Sequence, residues 1–538
     1  MHHVGFADVT SPIRRRDVAA TLFHLWCASR NWHQAPMQGL SLPAVERSPA
    51  VAPARDYARW TAAVIAVVTA IRLIWLGVQS AGLYPDEAQY WFWAQHPAFG
   101  YYSKPPLVAW LIALTTGVFG DSEFAVRMAA PLLHAAAAAF VYAIGARLYD
   151  RRIGFWSALA YLTLPGVSLS ALIISTDAVL LPCWAAALYA FIRARELGSG
   201  IGWWLVAGIA AGLGLLAKYA MAYWLASAIA LVLLVPDERR QLKRLLLAVA
   251  IAVAIYLPNL WWNWSHAFVS YRHLRDNAEL SGRLLHPQAL LEFFGSQFGV
   301  VGPLFFIALL AILLRPRDLA GQRARLLAVF SLPTLAMMLC LSLASRAEPN
   351  WAAPAYVSAI VLVVAWLFDG DRRRWLRVSI AVNIAAAVLL FGGVDALAAV
   401  GVTVPAKYDP LHRLRGWHGL GRQVGALLAS HPGLTLLADD RELLAALIYY
   451  VRPHPFSAVE WNPVPGITDH WRLTNNIANH RGEDFLAVTV HGLAGEMRAD
   501  FAEMTPLTTI TTRTGPGGGK TYTVYIARDF EGNGRDKR

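Results

Sequence analysis

Residues 60–79 read WTAAVIAVVTAIRLIWLGVQ, and this stretch decides the kind of fold. At 1.5 Å per residue, about 20 apolar residues in a helix cover a ~30 Å hydrocarbon core. Apolar stretches then recur near 105–119, 124–146, 153–174, 178–193, 201–217, 219–235, 245–263, 292–314, 326–344, 352–368 and 376–400. Of the 538 residues 57% are apolar and 15% charged, whereas a soluble protein averages about 25% charged. The sequence therefore predicts a polytopic α-helical membrane protein.

The net charge of +12 does not indicate nucleic acid, because the cations fall in short loops between apolar stretches. These loops are Arg147/Arg151/Arg152, Arg193/Arg195, Arg239/Arg240/Lys243/Arg244, Arg315/Arg317/Arg323/Arg325 and Arg372/Arg373/Arg374/Arg377. The positive-inside rule assigns all five to the cytoplasm. Residues 1–58, with Arg14, Arg15, Arg16, Arg30, Arg47 and Arg55 and no signal-peptide core, read as a basic cytoplasmic tail.

From residue 147 to 400 each basic loop is two crossings from the next. Three crossings between the tail and Arg147 would break that rhythm. The 105–119 stretch, short and preceded by Lys104-Pro105-Pro106, is therefore read as re-entrant or lying along the outer interface, which leaves eleven full spans. Residues 80–104, 175–177, Lys218, 264–291 and 345–351 then face the periplasm. So does everything after the membrane domain of 59–401.

Residues 402–538 change to soluble composition. Helices at 417–430 and 440–450, strands at 434–438 and 521–527, and a Gly515-Pro516-Gly517-Gly518-Gly519 turn predict a small periplasmic α/β domain. Cys27, Cys183 and Cys340 have no motif spacing, so neither a disulfide framework nor a cysteine metal site is expected.

Most of the unusual polar residues fall in the outer loops. The first reads Tyr84-Pro85-Asp86-Glu87-Ala88-Gln89-Tyr90, then Gly100-Tyr101-Tyr102-Ser103-Lys104-Pro105-Pro106-Leu107. Transfer of a group to a hydroxyl needs a base to take its proton, and a carboxylate serves. A departing lipid phosphate needs a cation beside it. The bland reading is an acidic helix N-terminus.

Asp177 ends Ile174-Ser175-Thr176-Asp177, placed at a cavity mouth by the cost of burying a carboxylate in lipid or as a helix N-cap. Lys218 sits at an outer turn against the charge bias, facing an anion or snorkelling to headgroups. His266, Arg272, His273, Arg275 and Asp276 gather cations and imidazoles in one outer loop. That suits a phosphate, or anionic headgroups, better than a metal, for which the spacing fits no strong ligand motif. Arg346-Ala347-Glu348-Pro349-Asn350-Trp351 opens the span at 352, with Trp351 also suited to an interface belt.

Together these residues resemble the GT-C polyprenyl-phosphate-dependent glycosyltransferases of the family 39 type, which includes protein O-mannosyltransferases and the aminoarabinose transferase of lipid A. The similarity spans residues 60–450, with Pro85-Asp86-Glu87, Tyr101 to Leu107, Thr176-Asp177 and Glu348 to Trp351 as its markers. It implies inverting transfer at a periplasmic cavity, with Asp86 at the reacting centre and Asp177 as the second outer acid. It also implies Lys104 on the carrier phosphate, helped by Arg272 or Arg275, with Lys218 as the outer lysine. Glu87, Tyr90, Tyr101, Glu348 and Trp351 complete the expected substrate-binding set.

Three positions depart from the lipid A transferase pattern. Gln89 stands where an Arg follows the aspartate by three, Ser103 where a Glu precedes the lysine, and Trp351 where a Tyr closes the last motif. The missing Glu weakens the case for a metal, and the three changes together weaken the case for an aminoarabinose donor.

The expected function is transfer of a sugar from a polyprenyl-phosphate donor to lipopolysaccharide, lipid A or another envelope glycan at the inner membrane. No cofactor is required by this reading, with a divalent metal as the less favoured alternative. The alternatives are a flippase of lipid-linked sugars, a protein O-glycosyltransferase and a noncatalytic scaffold; a transporter would favour mid-membrane charges and repeat symmetry, which this chain lacks.

Overall fold

A computed structural model describes residues 56–278, 285–369, 372–405, 408–409, 411–464, 466–490, 492, 494–515 and 518–532. The expected basic tail lies outside these residues up to residue 55, as do Pro516 and Gly517 of the glycine-rich turn.

Every apolar stretch carries helix. By length and composition six described helices can cross a membrane: Tyr57–Val78, Glu123–Leu148, Thr176–Ala194, Pro236–Ser265, Gln322–Ala344 and Arg373–Val394. Residues 292–314, read from sequence as one span, are instead two helices, Pro287–Val301 and Pro303–Leu313, bent by 117°. The cause is local. Gly302 takes a φ of +94°, a Cβ there would lie 2.0 Å from Asn383 Oδ1, and Pro303 starts a new helix without a backbone donor.

Leu107–Phe119, set aside by the crossing count, has 13 residues, but Met221–Leu234 and Ala355–Phe368 have only 14 each. Length alone therefore does not separate it from them. The most enclosed of the long helices is Thr176–Ala194, with 78% of its apolar window buried. Trp204 and Trp224 meet its Phe191 edge-on.

Before the membrane core lies a shorter helix, α1 (Pro85–Gln95), almost wholly buried although it spans nothing. The C-terminal region explains why. It carries α2 (Trp417–Ser430), β1 (Thr435–Ala438), α3 (Arg441–Tyr450), β2 (Val459–Glu460), β3 (Phe485–Thr489), β4 (Phe501–Gly515) and β5 (Gly518–Phe530). The sheet order is β2-β1-β3-β5-β4, with β1 parallel to β2 and β3, and β5 antiparallel to β3 and β4. Both expected helices and both expected strands are present, and Gly515 pairs with Gly518 across the expected turn. β2, β3 and β4 were not foreseen.

The described residues of 56–195 and 199–532 form one compact unit, so this sheet is not a separate body. Its α3 and the segments at His454 and Trp471 pack on α1. Trp91 meets Tyr449 edge-on at 4.9 Å and His454 at 4.6 Å, while Phe92 stacks on Trp471 at 5.4 Å. Burial of a side chain the size of Phe92 contributes about 1.5–3 kcal/mol, and each aromatic pair about 0.5–1.5 more.

The Tyr450 hydroxyl accepts from Leu83 N at 2.5 Å and donates to Glu123 Oε1 at 3.1 Å. Gly82 permits this approach, since a Cβ there would lie 2.7 Å from that hydroxyl. His418 Nε2 also meets Glu123 Oε1, at 2.9 Å. Burial opposes the charge of Glu123, yet hydrogen bonds from His418 and Tyr450 outweigh it and hold its carboxyl down to about 2.

Candidate active site

Pro85 starts α1 with its fixed φ, and Glu87 reaches back to accept from Tyr84 N at 2.8 Å, closing the first turn. Consecutive helical residues point about 100° apart, so the adjacent acids separate. Glu87, expected to bind substrate, turns inward and is 1% exposed. Its oxygens take Arg127 Nη2 at 2.6 Å, Arg127 Nε at 3.0 Å and the backbone N–H of Ile174 at 2.8 Å. Arg127 also donates to the carbonyls of Ala81 and Gly82. With both oxygens engaged and out of solvent, Glu87 anchors the loop and has none left for a substrate.

Asp86 faces outward with 40% of its side chain exposed. Its partner comes from the other end of the chain: Arg441 Nη1 donates to Asp86 Oδ1 at 3.0 Å and to Gln89 Oε1 at 2.8 Å. Arg441 is the first residue of α3, whose N-cap Asp440 accepts from Leu443 N. Burial works against the Arg441 charge, and Asp86 more than offsets that, raising its pKa. Arg413 extends the network, 2.7 Å from Glu442 and over the Tyr84 ring at 4.6 Å. Sequence reasoning missed Arg441, which lies 355 residues from Asp86.

Asp177 stands in the first turn of Thr176–Ala194, but the N-cap is Ser175, which accepts from Ala178 N at 3.3 Å. The Asp177 carboxylate is therefore left for side chains. Lys218 Nζ donates to Oδ1 at 2.7 Å and Asn350 Nδ2 to Oδ2 at 2.6 Å. Asn350 replaces its expected neighbours here. Glu348 is paired with Arg346 at the surface, 42% exposed, and Trp351 packs against the apolar core.

Lys104 is partly buried, and among the described residues its ammonium has no hydrogen bond or ion pair. Its electrostatic neighbours are Lys218, Asp86, Asp177 and Arg441, so both paired acids and both of their cations converge on it. Burial, then Lys218, hold its pKa below the ordinary lysine range. Tyr90 is 5% exposed and lies in the fields of Asp86, Arg441 and Asp177.

Tyr101, expected at the substrate, has its hydroxyl donating to the Trp93 carbonyl at 3.1 Å and its ring stacked on Trp93 at 4.6 Å, so it shapes the loop. Arg272 and Arg275, expected on the phosphate, are both exposed, and Arg275 pairs with Asp276. In the Val269–Asn277 helix the turn places His273 inward instead. The His273 ring lies tilted against Tyr102 at 4.8 Å, and burial, then Lys104, hold its pKa down to about 4, leaving the imidazole neutral.

An open cavity of about 1210 Å³, lined by residues including Trp75, Gln79, Phe391, Arg415 and His418, lies elsewhere and contains none of Asp86, Lys104, Asp177 or Lys218 in its wall. No group of three or more His, Cys, Asp or Glu among the described residues is placed to hold a metal ion. Two carboxylates with their paired cations, and an amine in their field without a hydrogen bond or ion pair among the described residues, suit proton removal from a hydroxyl beside a departing phosphate.

Comparison with known proteins identifies the family. The family described as dolichyl-phosphate-mannose-protein mannosyltransferase matches residues 103–262. The lipid A galacturonosyltransferase of Rhizobium johnstonii is 35% identical over 386 residues, covering 71% of this chain and 80% of that protein. An undecaprenyl phosphate-alpha-4-amino-4-deoxy-L-arabinose arabinosyl transferase of Pseudomonas savastanoi is 28% identical over 373 residues, 61% of this chain and 66% of that one. The crystal structure of ArnT from Cupriavidus metallidurans bound to undecaprenyl phosphate shares the fold, with a TM-score of 0.60 at 16% identity, over 88% of this chain and 98% of that one.

The apolar helices and the named relatives define a multi-pass membrane glycosyltransferase. The chain belongs to the GT-C glycosyltransferases of family 39, on the branch that resembles the aminoarabinose transferases. The transport and scaffold readings are not favoured, since the named relatives are transferases.

Proposed function

We propose that the chain moves a sugar, with inversion, from a polyprenyl-phosphate carrier to lipid A or another lipopolysaccharide glycan at the periplasmic face of the inner membrane. The acceptor oxygen attacks the anomeric carbon, and the bond from that carbon to the phosphate oxygen breaks with its electron pair leaving on the phosphate. Asp86 takes the acceptor proton. Lys104 meets the phosphate, whose negative charge supplies the partner this ammonium lacks. Asp177, held by Lys218 and Asn350, adds a negative field beside Lys104. In this reading these cations carry the charge of the departing group, without a metal.

The observation that carries the reading is the two ion pairs, Asp86 with Arg441 at 3.0 Å and Asp177 with Lys218 at 2.7 Å, in whose combined field Lys104 lies without a hydrogen bond or ion pair of its own among the described residues. They come from three loops assigned to the periplasm by charge bias and from the C-terminal domain, which supports a single outer face for all of them. The relatives support the donor and acceptor classes, being named for lipid A and for undecaprenyl phosphate sugars.

The test is incubation of the purified protein with radiolabelled polyprenyl-phosphate sugar and lipid A. Label in lipid A is the expected result, whereas carrier moved across a vesicle with no label transferred would overturn the proposal. A reporter fused after residue 400 that reads as cytoplasmic would overturn the topology.

A further inference from the structure

The span Pro236–Ser265 turns one apolar stripe outward, through Leu246, Val253, Leu257, Leu260, Trp261 and Trp264. The spacing is helical and all six side chains are exposed, so this stripe is the lipid face of the span. Trp261 and Trp264, each 65% exposed, end it on the side that charge bias assigns to the periplasm, at the depth where tryptophan rings meet headgroups. The chain then reverses through Ala267 and Phe268, both at positive φ, and the Phe268 N–H bonds back to the Asn263 carbonyl at 2.6 Å. The helix Val269–Asn277 follows at once and so starts at the membrane surface.

That helix has two unlike faces. Outward it shows Leu274 with Arg272 and Arg275 beside it. The pairing of Arg275 with its neighbour Asp276, at 3.3 Å and with both side chains largely in solvent, is of the kind that contributes little. Among the described residues the Arg272 guanidinium has no hydrogen bond or ion pair. An apolar side chain flanked by guanidinium groups, next to exposed tryptophans, is the composition of a helix that lies in a membrane interface. A guanidinium fork takes two phosphate oxygens at once. Two arginines against one aspartate leave this face with surplus positive charge, which favours anionic over zwitterionic headgroups.

The inward face holds the site. Ser270 Oγ donates to the Tyr101 carbonyl at 2.7 Å, and His273 lies against Tyr102, so the helix grips the loop that carries Lys104. Tyr271 stacks at 5.2 Å on Tyr219, the residue after Lys218. One short helix thus joins the membrane surface to the loops of both lysines.

We propose that the outward face of Val269–Asn277 docks anionic phospholipid headgroups of the outer leaflet through Arg272 and Arg275, and that this docking steadies the loops of Lys104 and Lys218. The second half rests on the reading of the chain as a polyprenyl-phosphate sugar transferase; the first half does not. Transfer is then governed by the charge of the surrounding membrane.

The full-length protein is reconstituted in vesicles of phosphatidylcholine alone and of equal parts phosphatidylcholine and phosphatidylglycerol. Wild type, Arg272→Gln/Arg275→Gln and Arg272→Lys/Arg275→Lys are compared by hydrogen exchange across residues 266–278 and by sugar transfer. In the wild type the anionic vesicles are expected to slow exchange of this helix by about fivefold or more, the scale of one basic side chain at an anionic surface, with transfer rising in the same vesicles. The glutamine variant loses both differences, the lysine variant keeps most of each, and salt at about 1 M, where charges are screened beyond about 3 Å, abolishes them.

Exchange that is equal in the two vesicles, or slowed by phosphatidylglycerol in the glutamine variant as well, overturns the docking. Protection that appears only when lipid A is added to neutral vesicles gives the face to the acceptor and overturns it too. A glutamine variant whose transfer falls by one factor in both vesicles puts the arginines on the carrier phosphate instead. Lipid-dependent exchange without any sugar transfer in either vesicle overturns the transferase reading and leaves the docking standing.

Discussion

Arg127 Nη2 and Glu87 Oε2 lie 2.6 Å apart with 1% of each side chain exposed, joining the first turn of α1 to the helix pair behind it. A buried pair is costly to form and more costly to break, because removal of one partner strands the other charge. Glu87→Gln is expected to destabilise the protein by about 3–5 kcal/mol, seen as a lower melting temperature in detergent. The double variant Glu87→Met/Arg127→Met is expected to recover part of that loss. A single variant as stable as the wild type would show that the pair does not anchor the loop.

Glu460 carries a pH dependence of unusual sign. It ends β2, is 5% exposed, and has Oε2 without a partner. Burial, then the Asp469 carboxylate against it, push its carboxyl up to about 10 from an ordinary 4.5. The folded state therefore holds a proton that the unfolded chain releases above about 4.5, so stability from this group is full below that pH and drains as pH rises toward 10. Glu460→Gln is expected to raise the melting temperature at pH 8–9 and change it little at pH 4. A variant destabilised equally at both pH values would contradict this assignment.

Lys104→Gln removes the cation without a partner from the mouth. Affinity for undecaprenyl phosphate is expected to fall about tenfold or more, measured by tryptophan quenching, and Lys104→Arg is expected to keep most of it. Binding unchanged in the glutamine variant would place the phosphate elsewhere.

Much of this was legible in the sequence, for identifiable reasons. Hydropathy marks lipid-facing helices directly, so each apolar stretch emerged as helix; the break at Gly302 did not, because hydropathy continues through a bend. Asp177 and Lys218 stood out as charges at outer turns against the prevailing bias, and they pair. The separation of Asp86 from Glu87 follows from helical twist, and reading the two as one unit obscured it. The same twist turns His273 inward and Arg272 and Arg275 outward.

Two residues gave no usable signal. Asn350 is a neutral amide beside more conspicuous Glu348 and Trp351, and only the folded chain brings it to Asp177. Arg441 was one more helix-start residue in a soluble domain until α3 docked on α1. β4 escaped because its Thr-rich, largely exposed run with Pro506 lacks the apolar alternation of a half-buried strand, and β3 because its five buried residues do not distinguish strand from helix.

The most direct measurement is single-turnover transfer from a labelled polyprenyl-phosphate sugar to lipid A by Asp86→Asn, with donor binding measured in parallel. A positioned general base contributes about 10²–10⁴-fold, so transfer is expected to slow by that factor while the donor still binds. Transfer by Asp86→Asn at the wild-type rate would contradict the placement of Asp86 at the reacting centre.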